Sequence, residues 1–251
     1  MHIMRAHRYA AAVATGALLC LLVTFAAADS PAAGNPRSLV TSHQGMARLD
    51  DYLMNPATEL ALARSAAPAA VSDKATILIL KPQGYETAVN GSNGFTCVVE
   101  RSWMVPFNRA DFWNPKLRGP VCYNQAASKS VLVYTLRRTK LALAGHSREQ
   151  MLDEVRAAVA RKELPAPEPG AMSYMMSKDQ YLTDGADSHW HSHVMFHVPK
   201  SDAASWGANL PGSPVVFDDA LGEAHPEYPE PQSIYFVPVG HWSDGTAAPC
   251  M

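Results

Sequence analysis

The sequence predicts an α+β domain in which a mixed or antiparallel sheet carries a few packed helices and one disulfide. Residues 75–80 form a short, continuous apolar run rich in β-forming residues, which is typical of a strand buried on both faces. Residues 147–150 form a capping box, and apolar residues recur at helical spacing as far as residue 159. Cys97 and Cys122 lie in neighbouring structured segments and are the expected disulfide pair.

The first 28 residues are typical of a secretory signal peptide. Two arginines precede a long apolar stretch, and the small residues that end at Ala28 match the pattern before a cleavage site. We therefore expect cleavage after Ala28, a flexible leader over residues 29–42 and a single α+β domain over residues 43–251. An uncleaved membrane anchor is the alternative, which the short apolar centre and the small residues disfavour. The mature protein would be periplasmic or secreted.

Charge and cysteine content narrow the class of protein further. The whole chain carries 21 basic and 23 acidic side chains, and loss of Arg5 and Arg8 with the signal peptide takes the net charge from −2 to −4. This balance excludes a charge-driven nucleic-acid-binding surface. After the signal peptide, no apolar run in the sequence is long enough to span a bilayer. Cys250 is left over from the expected disulfide, and is free, bridges two chains or replaces one of the two partners.

Three helices are expected besides the one at residues 147–159. Residues 44–54 place apolar side chains on one side of a helix. Asn55 followed by Pro56 is typical of an N-cap with proline at the first helical position. Residues 128–144 contain β-forming residues, but the basic residues that precede Gly145 favour the end of a helix, which is our prediction.

The other strands are inferred from apolar runs between turn residues. Residues 85–89 and 95–101 flank an Asn-Gly-Ser-Asn-Gly sequence, which predicts a hairpin because asparagine and glycine accept positive φ. Residues 102–127 read as a long ordered loop pinned by Cys122 and several aromatic residues. Four later strands are expected, at residues 172–176, 188–199, 214–217 and 233–237.

The strand predicted at residues 188–199 contains four histidines within nine positions. Side chains alternate between the faces of a strand. One face would therefore carry a row of imidazoles with one thioether, namely His189, His191, His193, Met195 and His197. The other face would carry Trp190, Val194, Phe196 and Val198, and we interpret that face as the one packed against the core.

This histidine pattern predicts a metal site, because neutral imidazole is a leading ligand for zinc and copper. Residues 189 and 193 would be about 13 Å apart along an ideal strand, so one tetrahedral ion cannot bind all three of the alternating histidines. A neighbouring pair must be completed from elsewhere. The candidate ligands are His189, His191, His193 and His241, with Glu223, His225 and Glu227 as open alternatives. Zinc or copper is the expected ion, and the methionines favour copper because a soft thioether combined with imidazole suits that metal.

The sequence thus predicts an exported metal-binding protein with a histidine-rich strand. One alternative is a secreted metal-dependent hydrolase, for which Glu100 or Glu223 is a candidate base, although Arg101, the neighbour of Glu100, favours a surface ion pair. Another is a non-catalytic envelope or secreted interaction domain whose histidines lie on the surface. No His-Glu-x-x-His or Gly-x-Ser-x-Gly motif occurs, so the sequence names no catalytic residue, substrate or oligomeric state.

Overall fold

Eight β-strands form one mixed sheet in the computed structural model, which describes residues 45–184, 191–201, 203–217 and 228–249. These residues belong to one compact unit, Leu39–Met251, and the α+β prediction is confirmed. The described part begins after the segments predicted to be a signal peptide and a leader. Both of these segments therefore stay predictions, and so does the domain boundary at residue 43. The strands are β1 (Thr76–Lys81), β2 (Gly84–Val89), β3 (Thr96–Glu100), β4 (Gly119–Tyr123), β5 (Met172–Met175), β6 (His193–Pro199), β7 (Val216–Phe217) and β8 (Gln232–Pro238).

The strand order across the sheet is β2-β1-β3-β4-β5-β6-β8-β7. Strands β1 and β3 pair in parallel, and every other neighbouring pair of these strands is antiparallel. Strands β3 to β6 therefore lie in the middle of the sheet. The segment at residues 102–127, which was predicted to be a long loop, contains strand β4, whose five residues are all buried. This strand was missed because it is short and contains Pro120, which disfavours a strand by local propensity.

Six helices and two 3₁₀ turns cover the sheet within the described residues. The helices are α1 (Leu49–Tyr52), α2 (Pro56–Arg64), α3 (Ala69–Ser72), α4 (Gln125–Ser130), α5 (Leu132–Leu143) and α6 (Arg148–Ala160). The 3₁₀ turns are Ser102–Met104 and Ala203–Trp206. None of the helices in this part of the chain is both long enough and apolar enough to cross a membrane.

Local sequence signals explain where the helices begin. The Asn55 side chain accepts hydrogen bonds from the backbone of Ala57 and Thr58, and Pro56 occupies the first turn, which confirms the predicted N-cap. At α6, Ser147 and Gln150 bond each other's backbone N–H, so the predicted capping box is present.

The hairpin predicted around residues 90–94 is wrong. Strand β2 instead turns back on β1, and the following segment crosses to the other side of β1, where β3 pairs with it in parallel. Gly91 lies so close to β1 in this crossing that a Cβ atom would stand 2.2 Å from the backbone nitrogen of Thr76. The glycine therefore permits a close crossing of two backbones, rather than a hairpin turn.

Each face of the sheet packs against its own cluster of side chains. The larger cluster includes Val98, Val121, Met195 and Ile234, and it is completed by α5, α6 and the aromatic residues of the 102–117 segment. On the opposite face, α2 packs on β1, β3 and β4.

The predicted disulfide is confirmed, and it belongs to the α2 side of the sheet. Cys97 and Cys122 face each other across β3 and β4 with their Cα atoms 4.0 Å apart, and both are fully buried. The bond joins two central strands and so ties together sequence segments on either side of the 102–117 segment.

Candidate functional site

The histidine strand starts later than predicted and turns a different face to the core. Strand β6 begins at His193, whereas residues 185–190, including the predicted ligand His189, lie outside the described part. His193, Met195 and His197 are buried, and the alternating valine and phenylalanine residues are only partly buried. The assignment of the imidazole row to a face away from the core was therefore wrong. The reason is that the larger layer of helices covers the imidazole side.

His193 is held in one tautomer at the start of β6. Its Nδ1 lies 2.7 Å from the backbone oxygen of His191, so Nδ1 carries the proton and donates it. The ring packs edge-on against Phe236 with 5.3 Å between ring centroids. Desolvation lowers the pKa of His193 to about 4, so the ring is neutral near pH 7.

His197 has both ring nitrogens engaged by neighbouring side chains. Nε2 lies 2.9 Å from the Ser173 hydroxyl, and Nδ1 lies 3.0 Å from Oε1 of Gln232. The amide group of Gln232 in turn donates to the hydroxyl of Tyr228 at 2.6 Å. Since an amide oxygen only accepts, Nδ1 of His197 carries the proton. Desolvation lowers the pKa of His197 to about 4, so this histidine is a neutral structural side chain.

His191 and His241, two further predicted ligands, lie on adjacent backbone segments. The Ser192 hydroxyl donates to the His241 backbone oxygen at 2.6 Å, and the Val239 N–H donates to the Ser192 oxygen at 2.8 Å. The His191 ring lies 3.4 Å from the Pro249 oxygen, and His241 is exposed.

No group of three metal-ligating side chains is found within the described residues. The predicted ligand His189 and the open alternatives Glu223, His225 and Glu227 lie outside them. The metal site therefore stays a prediction, as does the choice of zinc or copper.

A cavity of about 210 Å³ opens on the same face of the sheet as His197. It lies between strands β3, β4, β5, β6 and β8 and the layer formed by α5 and the 102–109 segment. We call it the Glu100 cavity. Most of its wall is apolar, with three thioethers, several aliphatic residues and the aromatic rings of four residues; these are Met104, Met175, Met195, Val105, Val131, Leu117, Leu182, Ile234, Tyr123, Tyr134, Tyr228 and Phe236.

Glu100 brings the carboxyl group into this wall. Its Oε1 accepts hydrogen bonds from the Tyr123 hydroxyl at 2.7 Å and from the Thr135 hydroxyl at 2.5 Å. No hydrogen bond from a described residue reaches Oε2. Desolvation raises the pKa of Glu100, and the bonds from Thr135 and Tyr123 and the charge of Arg138 act in the opposite direction.

The expected surface ion pair between Glu100 and Arg101 does not form. Arg101 is fully buried and pairs with Glu59 of α2 at 2.8 Å, while its Nε donates to the Tyr52 backbone oxygen. Consecutive side chains along a strand point to opposite faces, so the Arg101 side chain extends from the face opposite that of Glu100.

A second buried ion pair fixes another wall of the Glu100 cavity. Arg138 of α5 makes two hydrogen bonds to Glu230, at 2.6 and 2.8 Å, and its guanidinium lies 4.1 Å from the Phe107 ring centroid. This pair holds the segment that contributes Tyr228 and Gln232 to the cavity.

Sequence reasoning missed this cavity and most of its polar residues. One signal was available: Glu100 alternates with Val98 along β3, which places a carboxyl on a core face. The Arg138–Glu230 pair joins residues 92 positions apart, and no local pattern connects them.

Comparison of the chain with protein-family models, curated protein sequences and solved structures finds no match. The geometry of the described residues is therefore the basis for the functional proposals.

Proposed function

We propose that this is an exported protein that binds a small, largely apolar organic molecule in the Glu100 cavity. The observation that carries the proposal is a formed apolar cavity into which a few polar groups converge. Concave apolar sites with a small number of placed polar groups are the usual architecture of small-molecule binding. Glu100, Thr135, His197 and Gln232 are among these polar groups, and Arg101 and Arg109 also contribute to the wall.

The size of the cavity limits the ligand. An engineered cavity of about 150 Å³ with apolar walls stays dry and binds benzene. At about 210 Å³, the Glu100 cavity has room for a ring of that size with a short substituent. Three methionines line it, and their flexible thioethers adapt to ligands of different shape.

Export is part of the proposal and has one structural support. The buried Cys97–Cys122 disulfide is of the kind that persists in oxidising compartments such as the periplasm or the extracellular space. The N-terminal sequence pattern points to the same compartments.

Methyl NMR of the protein labelled with ¹³C at methionine methyls tests the ligand proposal directly. Titration with toluene and with indole should shift the methyl signals of Met104, Met175 and Met195, which line the cavity. The signals of Met54 and Met151, which lie elsewhere, should stay in place and serve as internal controls. Uniform shifts, or no shift at the three cavity methyls, would contradict the proposal.

A cavity-filling substitution provides the matched variant. Val131, the residue between α4 and α5, is buried in the wall, whereas Leu136 of α5 is 38% exposed. We expect Val131→Phe to abolish the toluene and indole shifts, because the added ring occupies the space of the ligand. Leu136→Phe should leave them unchanged, and thermal unfolding should show that both variants are folded.

As a second function, we propose that the histidines bind a metal ion, and the orientation of the His193 ring supports this. His193 donates its Nδ1 proton to a backbone oxygen, which is how metal-binding histidines are commonly oriented. His191 and His241 lie on the two segments joined through Ser192. His189 would have to complete the group. A hydrolase would further require an open position on the ion.

Metal analysis of protein purified without a histidine tag tests this second proposal. We expect about one zinc or copper ion per chain, lost when His191→Ala is combined with His193→Gln. His146→Ala, a histidine remote in sequence from both segments, is the control. Protein that carries no metal, or whose metal survives the double substitution, would refute the assignment.

A further inference from the structure

We infer that the Glu100 cavity selects a small organic cation, an ammonium group on an apolar body, whose N–H donates to Oε2 of Glu100. This inference rests on the proposed function and adds the chemical class of the ligand. It follows from the charges around the cavity, from the hydrogen bonds of Glu100 and from the composition of the wall.

The charges near the cavity leave the carboxyl without a close cationic partner. Arg101 pairs with Glu59, Arg109 pairs with Asp111 at 2.7 Å, and Arg138 pairs with Glu230. No ion pair to Glu100 is found among the described residues. Arg138 acts on Glu100 only from beyond ion-pair distance and is itself neutralised by Glu230. Arg101 and Arg109 also line the cavity, but each pairs with a carboxylate that is not part of the wall, and neither forms an ion pair with Glu100. A ligand that brings a positive charge would therefore supply the cationic partner that Glu100 lacks.

The hydrogen bonds of Glu100 orient it as an acceptor toward the ligand. Tyr123 and Thr135 both donate to Oε1, and they come from β4 and α5 on two sides of the carboxyl. A carboxylate has about four acceptor sites on its two oxygens. The two hydroxyls hold the group in place while Oε2 stays available, so an ammonium N–H would meet a preorganised acceptor.

The remainder of the wall suits the rest of such a ligand. The rings of Tyr123, Tyr134 and Phe236 belong to it, and aromatic rings attract cations more strongly where water is excluded. Aliphatic and thioether groups provide the surface against which an apolar body packs. A strongly hydrated dication or a large polar molecule would lose its water without replacement.

Calorimetric titration with three compounds of one shape tests the inference. Benzylamine is the cation, benzyl alcohol is the neutral donor and benzoate is the anion. We expect benzylamine to bind at least about tenfold more tightly than benzyl alcohol, because its ammonium group adds the attraction of a positive charge to the hydrogen bond that either compound donates to the Glu100 carboxylate. Benzoate should not bind measurably.

Glu100→Gln is the informative variant, since it keeps an acceptor oxygen for Tyr123 and Thr135 but removes the charge. It should abolish the preference for benzylamine while benzyl alcohol still binds. Glu86→Gln, the same substitution at an exposed position of β2, should keep the preference.

The outcomes separate the inference from the proposed function. Equal binding of all three compounds, or tightest binding of benzoate, would overturn the inference and leave a ligand-binding cavity. Failure of all three, together with unchanged methionine methyl signals on addition of toluene and indole, would overturn both. The ranking on the unmodified protein decides the matter even if Glu100→Gln does not fold.

Discussion

At the residue scale, His197 illustrates how burial and hydrogen bonds set the state of a side chain that a sequence pattern marks as reactive. The Ser173 hydroxyl and the Gln232 amide oxygen satisfy opposite sides of the ring, so the neutral form is the one that fits. Glu100 shows the complementary case, because its neighbours satisfy one oxygen only. Two side chains of the same cavity thus have different roles.

The two buried histidines make stability depend on pH. The folded-state pKa of His193 and of His197 is lowered to about 4 by desolvation, below the unfolded value of about 6.5. Their contribution is therefore fully present above pH 6.5 and is lost as the pH falls toward 4. We expect each to remove roughly 2–3 kcal/mol from the free energy of unfolding between pH 7.5 and 4.5.

Urea unfolding at the two pH values measures this loss. His197→Gln should reduce the pH-dependent loss by roughly the share of one histidine, since glutamine does not titrate. Thr87→Gln, an exchange of non-titrating residues at an exposed position of β2, should leave the pH dependence as in the unmodified protein. An identical pH slope in His197→Gln and the unmodified protein would show that His197 is not held neutral by burial.

At the scale of elements, the central strands are joined by the Cys97–Cys122 bond, which closes a loop with a sequence separation of 25. Replacement of both cysteines by alanine should lower the free energy of unfolding by about 3 kcal/mol, because the unfolded chain regains conformational freedom. Chemical unfolding with and without dithiothreitol measures the effect. Reductant should destabilise the unmodified protein and leave the double variant unaffected; equal stability of both would contradict the expectation.

The crossing between β2 and β3 depends on the absence of a side chain at Gly91. Gly91→Ala should cost more than about 2 kcal/mol, because the new Cβ meets the β1 backbone, which cannot move aside easily. Gly240→Ala is the matched control, since no atom lies within 4 Å of a Cβ at that position, and it should change stability by less than about 0.5 kcal/mol. Thermal unfolding compares the two, and similar stabilities would refute the close approach.

At the scale of the whole molecule, the Arg138–Glu230 pair connects the helical layer to the segment that leads into β8. Removing one partner of a buried ion pair typically costs 3–5 kcal/mol, because the other charge stays buried. Arg138→Met should therefore lose about that much stability and also weaken binding of toluene in the Glu100 cavity, since Tyr228 and Gln232 lose their anchor.

Arg137→Met is the control for this substitution. Arg137 is partly exposed and its contacts to Glu154 and Glu163 are 3.7 and 3.9 Å long, so its loss should cost less than about 1 kcal/mol. Urea unfolding and toluene titration of the two variants should differ clearly. Equal losses of stability and of toluene binding in the two variants would show that the buried Arg138–Glu230 ion pair contributes no more than the exposed contacts of Arg137.

Local signals in the sequence were reliable where the structure is local. The capping box at Ser147, the cap at Asn55 and the strand at β1 depend on neighbouring residues, and all three are confirmed. The hairpin at residues 90–94 was wrong because the same glycines and asparagines also suit a crossing connection. The buried strand β4 was missed because its pairing partners, rather than its own propensities, stabilise it.

By itself, the sequence determined the α+β class, the disulfide pair and the helices with clear caps, because each follows from short-range patterns or from a small number of cysteines. Only the tertiary structure decided which face of the histidine strand meets the core, and that Glu100 rather than a histidine row lines the cavity. These features depend on which distant segments cover the sheet. The Arg138–Glu230 pair and the Tyr123 and Thr135 bonds to Glu100 exist only once the strands have taken their order.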